Sequence, residues 1–124
     1  MLYKTRDVDF RHNDFRGSLT QLVHEGYKQI NVLITKEGAD RGAHFHKVAT
    51  EAFFLITGSV KVDFVGKEEK QIVEFGKNDF FEIQPMVLHD MHFTEDCIMV
   101  QMYDIPVENP DGSKDIYMED EFYA

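Results

Sequence analysis

The chain has 124 residues, 43% of them hydrophobic, and its 13 basic against 23 acidic residues leave a net charge of −10 with the histidines neutral. This length sets one domain, able to bury about two-thirds of its unfolded surface without staples, and the acidic excess excludes a surface for nucleic acid or anionic membrane. The single cysteine, Cys97, excludes an intrachain disulfide; no apolar run approaches the ~18 residues of a membrane span, and without a charged and then apolar leader the expected location is the cytoplasm.

Residues 1–11 are expected to give one edge strand, and His12–Ser18 a turn. Ile30, Val32 and Ile34 then alternate with Asn31, Leu33 and Thr35, the period-2 pattern of a strand. Val60, Val62 and Phe64 alternate with Lys61 and Asp63 in the same way. Gln71–Phe75, Phe80–Ile83 and Cys97–Tyr103 are further short β-rich runs. Turn signals separate them at Glu37-Gly38, Thr57-Gly58-Ser59, Val65-Gly66-Lys67 and Gly76–Asp79. Short strands spaced about 8–12 residues apart predict an all-β fold, an antiparallel sandwich or small barrel. From Asp104 the character changes. Pro106, Asn109-Pro110-Asp111-Gly112 and Met118-Glu119-Asp120-Glu121 read as a loop with an acidic end, packed outside the barrel or exposed. No repeat or linker divides residues 1–124. The core is expected over about 14–103, with the tail at 104–124.

The chemistry concentrates at Gly38–His46. His44 and His46 are two apart, so a strand aims both at one face and turns Phe45 away. Glu51 opens the next apolar run, and His89 and His92 follow after Pro85. Three neutral nitrogens and one carboxylate suit zinc, manganese, iron, cobalt or nickel by ligand type. A solvated strand face is the competing reading of the same residues.

Gly38, His44, His46, Glu51 and Gly58 stand at the spacing of the first motif of the cupin superfamily, which they resemble without a gap. Gly76, Pro85 and His89 resemble the looser second motif. His89 falls about two residues later than usual there, which makes His92 its rival. The resemblance implies a single-domain, jelly-roll-like cupin barrel in which His44, His46, Glu51 and His89 hold a divalent metal.

Asp14–Leu19 and Arg41–His46 look like segments of the nucleotide-sugar cupins: deoxysugar 3,5-epimerases, sugar 3,4-ketoisomerases and capsule-type C-terminal cupin domains. That likeness implies an isomerase of surface-polysaccharide synthesis that abstracts a proton alpha to the carbonyl of a 4-keto sugar. In the ketoisomerases the residues matching His44 and His46 are acid–base groups; in the capsule-type domains the cluster holds zinc. The carboxylate at Glu51 favours zinc, with iron, manganese or nickel as other occupants and a metal-free site as the alternative. A histidine whose lone pair is on a metal cannot also be the base. With metal bound, the base falls to His92, Tyr103 or a metal-bound hydroxide.

Arg16 and Arg41 are candidates for clamping a diphosphate, because guanidinium forks match phosphate oxygens in pairs. Tyr103 shares a strand face with Cys97, Met99 and Gln101, opposite the apolar Ile98, Val100 and Met102. It either donates a proton inside the barrel or closes the rim with its hydroxyl in water. The expected ligand is a nucleotide-diphosphate sugar or another small anion. The competing functions are a metal-dependent oxygenase and a non-catalytic binding module. A homodimer is expected, paired through the sheets, with the first strand or the tail crossing between copies.

Overall fold

The computed structural model describes residues 2–124 and places the core between two five-stranded antiparallel sheets. The strands are β1 (Tyr3–Thr5), β2 (Phe10–Asp14), β3 (Gly17–Gln21), β4 (Gln29–Thr35), β5 (Asp40–Phe45), β6 (Glu51–Thr57), β7 (Ser59–Val65), β8 (Lys70–Gly76), β9 (Phe80–Ile83), β10 (Leu88–Phe93), β11 (Cys97–Tyr103) and β12 (Tyr117–Met118). A short helix, α1 (Glu119–Tyr123), follows. One sheet runs β1-β9-β6-β11-β4, the other β12-β5-β10-β7-β8, and β2 pairs β3 in a separate hairpin. This is the all-β antiparallel sandwich expected from the strand pattern.

Alternation decides what lies between the sheets. Val60, Val62 and Phe64 of β7 are fully buried, as are Phe53 and Leu55 of β6, while Lys61 points out. Phe75 stacks on Phe81 with centroids 3.7 Å apart, and Phe64 meets Phe81 edge-on. Each such side chain contributes about 1.5–3 kcal/mol by leaving water, so truncating Phe81 would cost about 3–5 kcal/mol. Gly58 lets the β6–β7 turn close against the start of β11: a Cβ there would lie 2.2 Å from the Asp96 carbonyl oxygen.

Two local expectations change, and the open choice for the tail is decided. The segment over His12–Ser18 is not a turn throughout; it spans most of a hairpin, turning only at Phe15 and Arg16. The hairpin was illegible as strands because its side chains meet no core and carry no alternation: Phe10, Phe15 and Leu19 are all exposed. The edge strand expected over 1–11 shrinks to β1, while β2 begins at Phe10; Met1 lies outside the described residues. The tail packs rather than hangs free. Val107 is buried against Ala49 and Tyr103, and β12 adds a strand to β5 through Tyr117↔Phe45 and Met118↔His44.

On the outward face of β4, Ile30, Val32 and Ile34 are exposed. They stand beside Met102, Val100 and Ile98 of β11 in register. It is the mixed face of β11 that turns inward, with Met99 fully buried.

Candidate active site

β5 must bend to bring its histidines in. Gly42 has φ +104° and Ala43 φ +57°, and the register with β10 slips between His89 and Asp90. A bulge of this kind re-aims the side chains that follow it. It also draws the strands together: a Cβ on Gly42 would sit 2.8 Å from the His89 carbonyl oxygen, so only glycine fits. His44 is thereby set directly opposite His89. His46 follows the strand end, on the same side as His44, with ring centroids 5.1 Å apart. Phe45 points away, under Tyr117 and Phe122.

Glu51 opens β6 and is fully buried. Its Oε1 lies 3.2 Å from His46 Nε2 and 3.0 Å from His89 Nε2. Its Oε2 accepts a 2.7 Å hydrogen bond from Gln101 Nε2, and Gln101 Oε1 accepts in turn from Asn31 Nδ2 at 2.9 Å. One ligand atom from each of His44, His46, Glu51 and His89 lies within 4.8 Å of the others. His44 Nε2 and His89 Nε2 are buried without a hydrogen bond. His89 Nδ1 faces the Val87 carbonyl at 3.1 Å and His46 Nδ1 faces the Asp115 carbonyl at 2.6 Å. A carbonyl can only accept, so each of these Nδ1 atoms carries a proton. In the neutral ring the Nε2 lone pair then faces the cluster.

Electrostatics follow from burial and neighbours. Burial, and then the charge of His89, depress the His44 pKa to about 4, so this ring is neutral near pH 7. Burial pushes His46 down too, but the Glu51 hydrogen bond and charge outweigh it and the net shift is upward. Burial raises Glu51, and the two imidazoles reverse this and hold it ionised. Burial, then the Glu51 charge, push Tyr103 far up. The cluster is thus a carboxylate ringed by nitrogens, a place for a cation, whether proton or metal. The unpartnered nitrogens and the Nδ1 hydrogen bonds fit a divalent ion.

His44, Glu51 and His89 line a cavity of about 380 Å³ with Asp40, Arg41, Gly42, Phe53 and Gln101 among its walls. This lies within the range of small-molecule sites. Arg41 donates from Nε to Thr35 Oγ1 at 2.9 Å. Tyr103 is buried with its ring edge-on to His46 at 5.3 Å, so its hydroxyl is not in open water. A larger groove of about 1060 Å³, between the β7–β8 turn and α1, contains none of these groups.

Two candidates fall elsewhere. His92 is three residues from His89 and therefore faces out of the sandwich, held by Asp40 at 2.8 Å and Asp63 at 3.2 Å; the structure separates it from the cavity. Arg16 sits at the hairpin turn, paired with Asp14 at 2.6 Å and largely exposed. Its crevice shares no residue with the cavity, so Arg16 and Arg41 do not form one clamp within a single chain.

Sequence reading missed two partners. Gln101 was recognisable as inward-facing, but its bond to Glu51 depends on strand pairing. Asp115 carries no signal: it sits 64 residues beyond Glu51 in a stretch without periodicity.

The model of the family described as polysaccharide biosynthesis C-terminal domain matches residues 12–110. No curated protein matches the chain significantly. Among solved structures, a 3,4-ketoisomerase from Helicobacter canadensis is 24% identical, with TM-score 0.79, over 98% of this chain and 95% of that one. A mutant 3,4-ketoisomerase from Thermoanaerobacterium thermosaccharolyticum, in complex with TDP-4-keto-6-deoxyglucose, is 21% identical with TM-score 0.75, over 98% and 88%. A dTDP-4-dehydrorhamnose 3,5-epimerase from Sulfolobus tokodaii is 16% identical with TM-score 0.69, over 90% and 80%. At these identities the likeness establishes a common fold.

Proposed function

The chain belongs to the polysaccharide biosynthesis C-terminal domain family, and from that premise we propose that it is a nucleotide-sugar isomerase. It would act as an epimerase or ketoisomerase on a 4-keto sugar. The observation that carries the reading is His44 Nε2, buried and unpartnered on the wall of a cavity that Arg41 also lines. A ketone acidifies the C–H bonds beside it, and a base within ~2.6–3.2 Å removes the proton. His44, with its pKa depressed to about 4, is a free base at neutral pH. Arg41 would hold the diphosphate through paired N–H groups. The developing enolate oxygen needs a fixed donor on the cavity wall. Return of the proton to the opposite face inverts the centre; return at a neighbouring carbon moves the carbonyl. Tyr103, buried against His46, keeps its proton at neutral pH and is not the base.

A second reading is favoured by the four convergent ligand atoms. His44, His46, Glu51 and His89 would hold a divalent ion, zinc first, which supplies a Lewis acid when bound. His44 Nε2 serves one role at a time, so metal loading and proton transfer at His44 exclude one another.

The same proposal includes a cytoplasmic homodimer. The exposed Ile30, Val32 and Ile34, flanked by β11, form an apolar face of the kind that marks an interface. Arg16 joins a diphosphate site only if its hairpin crosses to a second copy. A sedimentation mass of a single chain would refute the pairing.

Incubation with thymidine- and uridine-diphosphate 4-keto sugars in heavy water tests the function. Deuterium at C3 or C5 is expected. Absence of both exchange and binding, with either nucleotide, would remove the support for the reading.

A further inference from the structure

The C-terminal tail reaches the histidine cluster through Asp115. Asp115 is nearly buried. Its carboxylate accepts three backbone hydrogen bonds from the loop that leads out of the histidine pair: Lys47 N at 2.8 Å, Val48 N at 3.0 Å and Ala49 N at 2.8 Å. Its own carbonyl oxygen accepts from His46 Nδ1 at 2.6 Å. Its backbone N–H donates to the Val107 carbonyl at 2.8 Å, which ties it to the rest of the tail. Two residues on, β12 pairs with β5 opposite His44 and Phe45.

We propose that Asp115 is a positioning residue: by clasping the 47–49 loop it holds its carbonyl against His46 Nδ1, fixes the proton there and so directs Nε2 at Glu51 and the other ligand atoms of the cluster. Neutral imidazole in water prefers the opposite tautomer, with the proton on Nε2. That form would donate to Glu51 Oε1 but bury Nδ1 against a carbonyl, lone pair to lone pair. A carbonyl at fixed distance from Nδ1 forbids it. A carbonyl cannot be fixed by its own side of the bond alone. Three charge-assisted hydrogen bonds from consecutive amides to one carboxylate supply the anchor. The device serves either reading of the site, because a metal ligand and an acid–base group both need Nε2 directed inward. It gives residues 104–124 a role in the chemistry without contact with the substrate.

The proposal rests on the reading of His46 as a site residue, but its test does not depend on turnover. Long-range nitrogen–proton NMR on the 15N-labelled full chain at alkaline pH reports which imidazole nitrogen carries the proton. The native protein is expected to show His46 as a single Nδ1–H form. Asp115→Ala, and the isosteric Asp115→Asn, are expected to add the Nε2–H form and to weaken zinc binding about 10–100-fold. A native His46 protonated on Nε2 would overturn the proposal even if neither variant folds. So would a His46 that keeps its Nδ1–H form in a folded variant whose 47–49 amides have lost protection, because the clasp would then be structural only. Native protein that shows the expected tautomer without any sugar isomerisation would sink the enzyme reading and leave the clasp standing.

Discussion

β10 carries two histidines three residues apart, and they live in opposite worlds. His89 faces inward, buried, with its Nε2 near Glu51 but without a hydrogen bond. His92 faces outward, with Asp40 and Asp63 on its two nitrogens. A buried polar atom left unpaired costs about 1–3 kcal/mol; a half-exposed imidazole between carboxylates costs nothing of the kind. His92 is a satisfied surface residue. The inner cluster is held in an arrangement that folding alone would not favour, and binding a cation or a substrate is what recovers that cost.

Replacing the two kinds of histidine should give unlike results. His44→Asn is expected to lower the rate of isotope exchange by about 10²–10⁴-fold, the usual contribution of a positioned base. His92→Asn should leave the rate unchanged. Equal losses from both would erase the distinction between the two faces of the strand.

A second contrast lies between the arginines. Arg41→Ala removes a charged donor from the cavity and should weaken binding of a nucleoside diphosphate by about 10–100-fold, from the 1.5–3 kcal/mol of a hydrogen bond to a charged group. Arg16→Ala, measured by calorimetry alongside it, should match that loss only in a dimer whose hairpins exchange.

Backbone fit comes next. Gly42→Ala places a methyl against the His89 carbonyl at a φ that side chains rarely adopt. About 1–3 kcal/mol of stability should be lost in denaturant melts, together with zinc affinity. Gly17→Ala meets nothing within 4 Å, so only its strained φ is felt, and the zinc affinity should not move.

In the pH dependence of stability the two histidine environments have opposite signs. His44 has a depressed pKa, about 4 in the fold, against about 6.5 unfolded. Between those values the unfolded chain binds a proton that the folded chain refuses, so His44 makes stability fall as pH drops through that window. His92 has a raised pKa, chiefly from Asp40. Its contribution is complete below about pH 6.5 and is lost as pH rises through the folded value. Thermal melts of His44→Asn should show a flatter acid limb, and those of His92→Asn a flatter limb on the neutral side.

Much of this was legible in the residue order. Period-2 geometry put His44 and His46 on one face, and the motif resemblance added Glu51 and His89 to them. The same rule separates His92 from His89: an odd offset puts them on opposite faces. Other features needed the assembled sheets. The bulge at Gly42 and Ala43 depends on how closely β5 approaches β10. Asp115 and Gln101 act through pairings 69 and 50 residues apart, and no local pattern marks those pairings. Arg16 looked like a site residue by its neighbours in sequence, yet its hairpin stands apart from the sandwich.

Mass spectrometry of a thymidine-diphosphate 4-keto sugar incubated in heavy water, with native protein beside His44→Asn, addresses the central claim most directly. Solvent deuterium should enter the carbon next to the ketone with the native chain and nearly cease in the variant. Undiminished incorporation by the variant would mean that the inward-facing nitrogen of His44 does not move the proton.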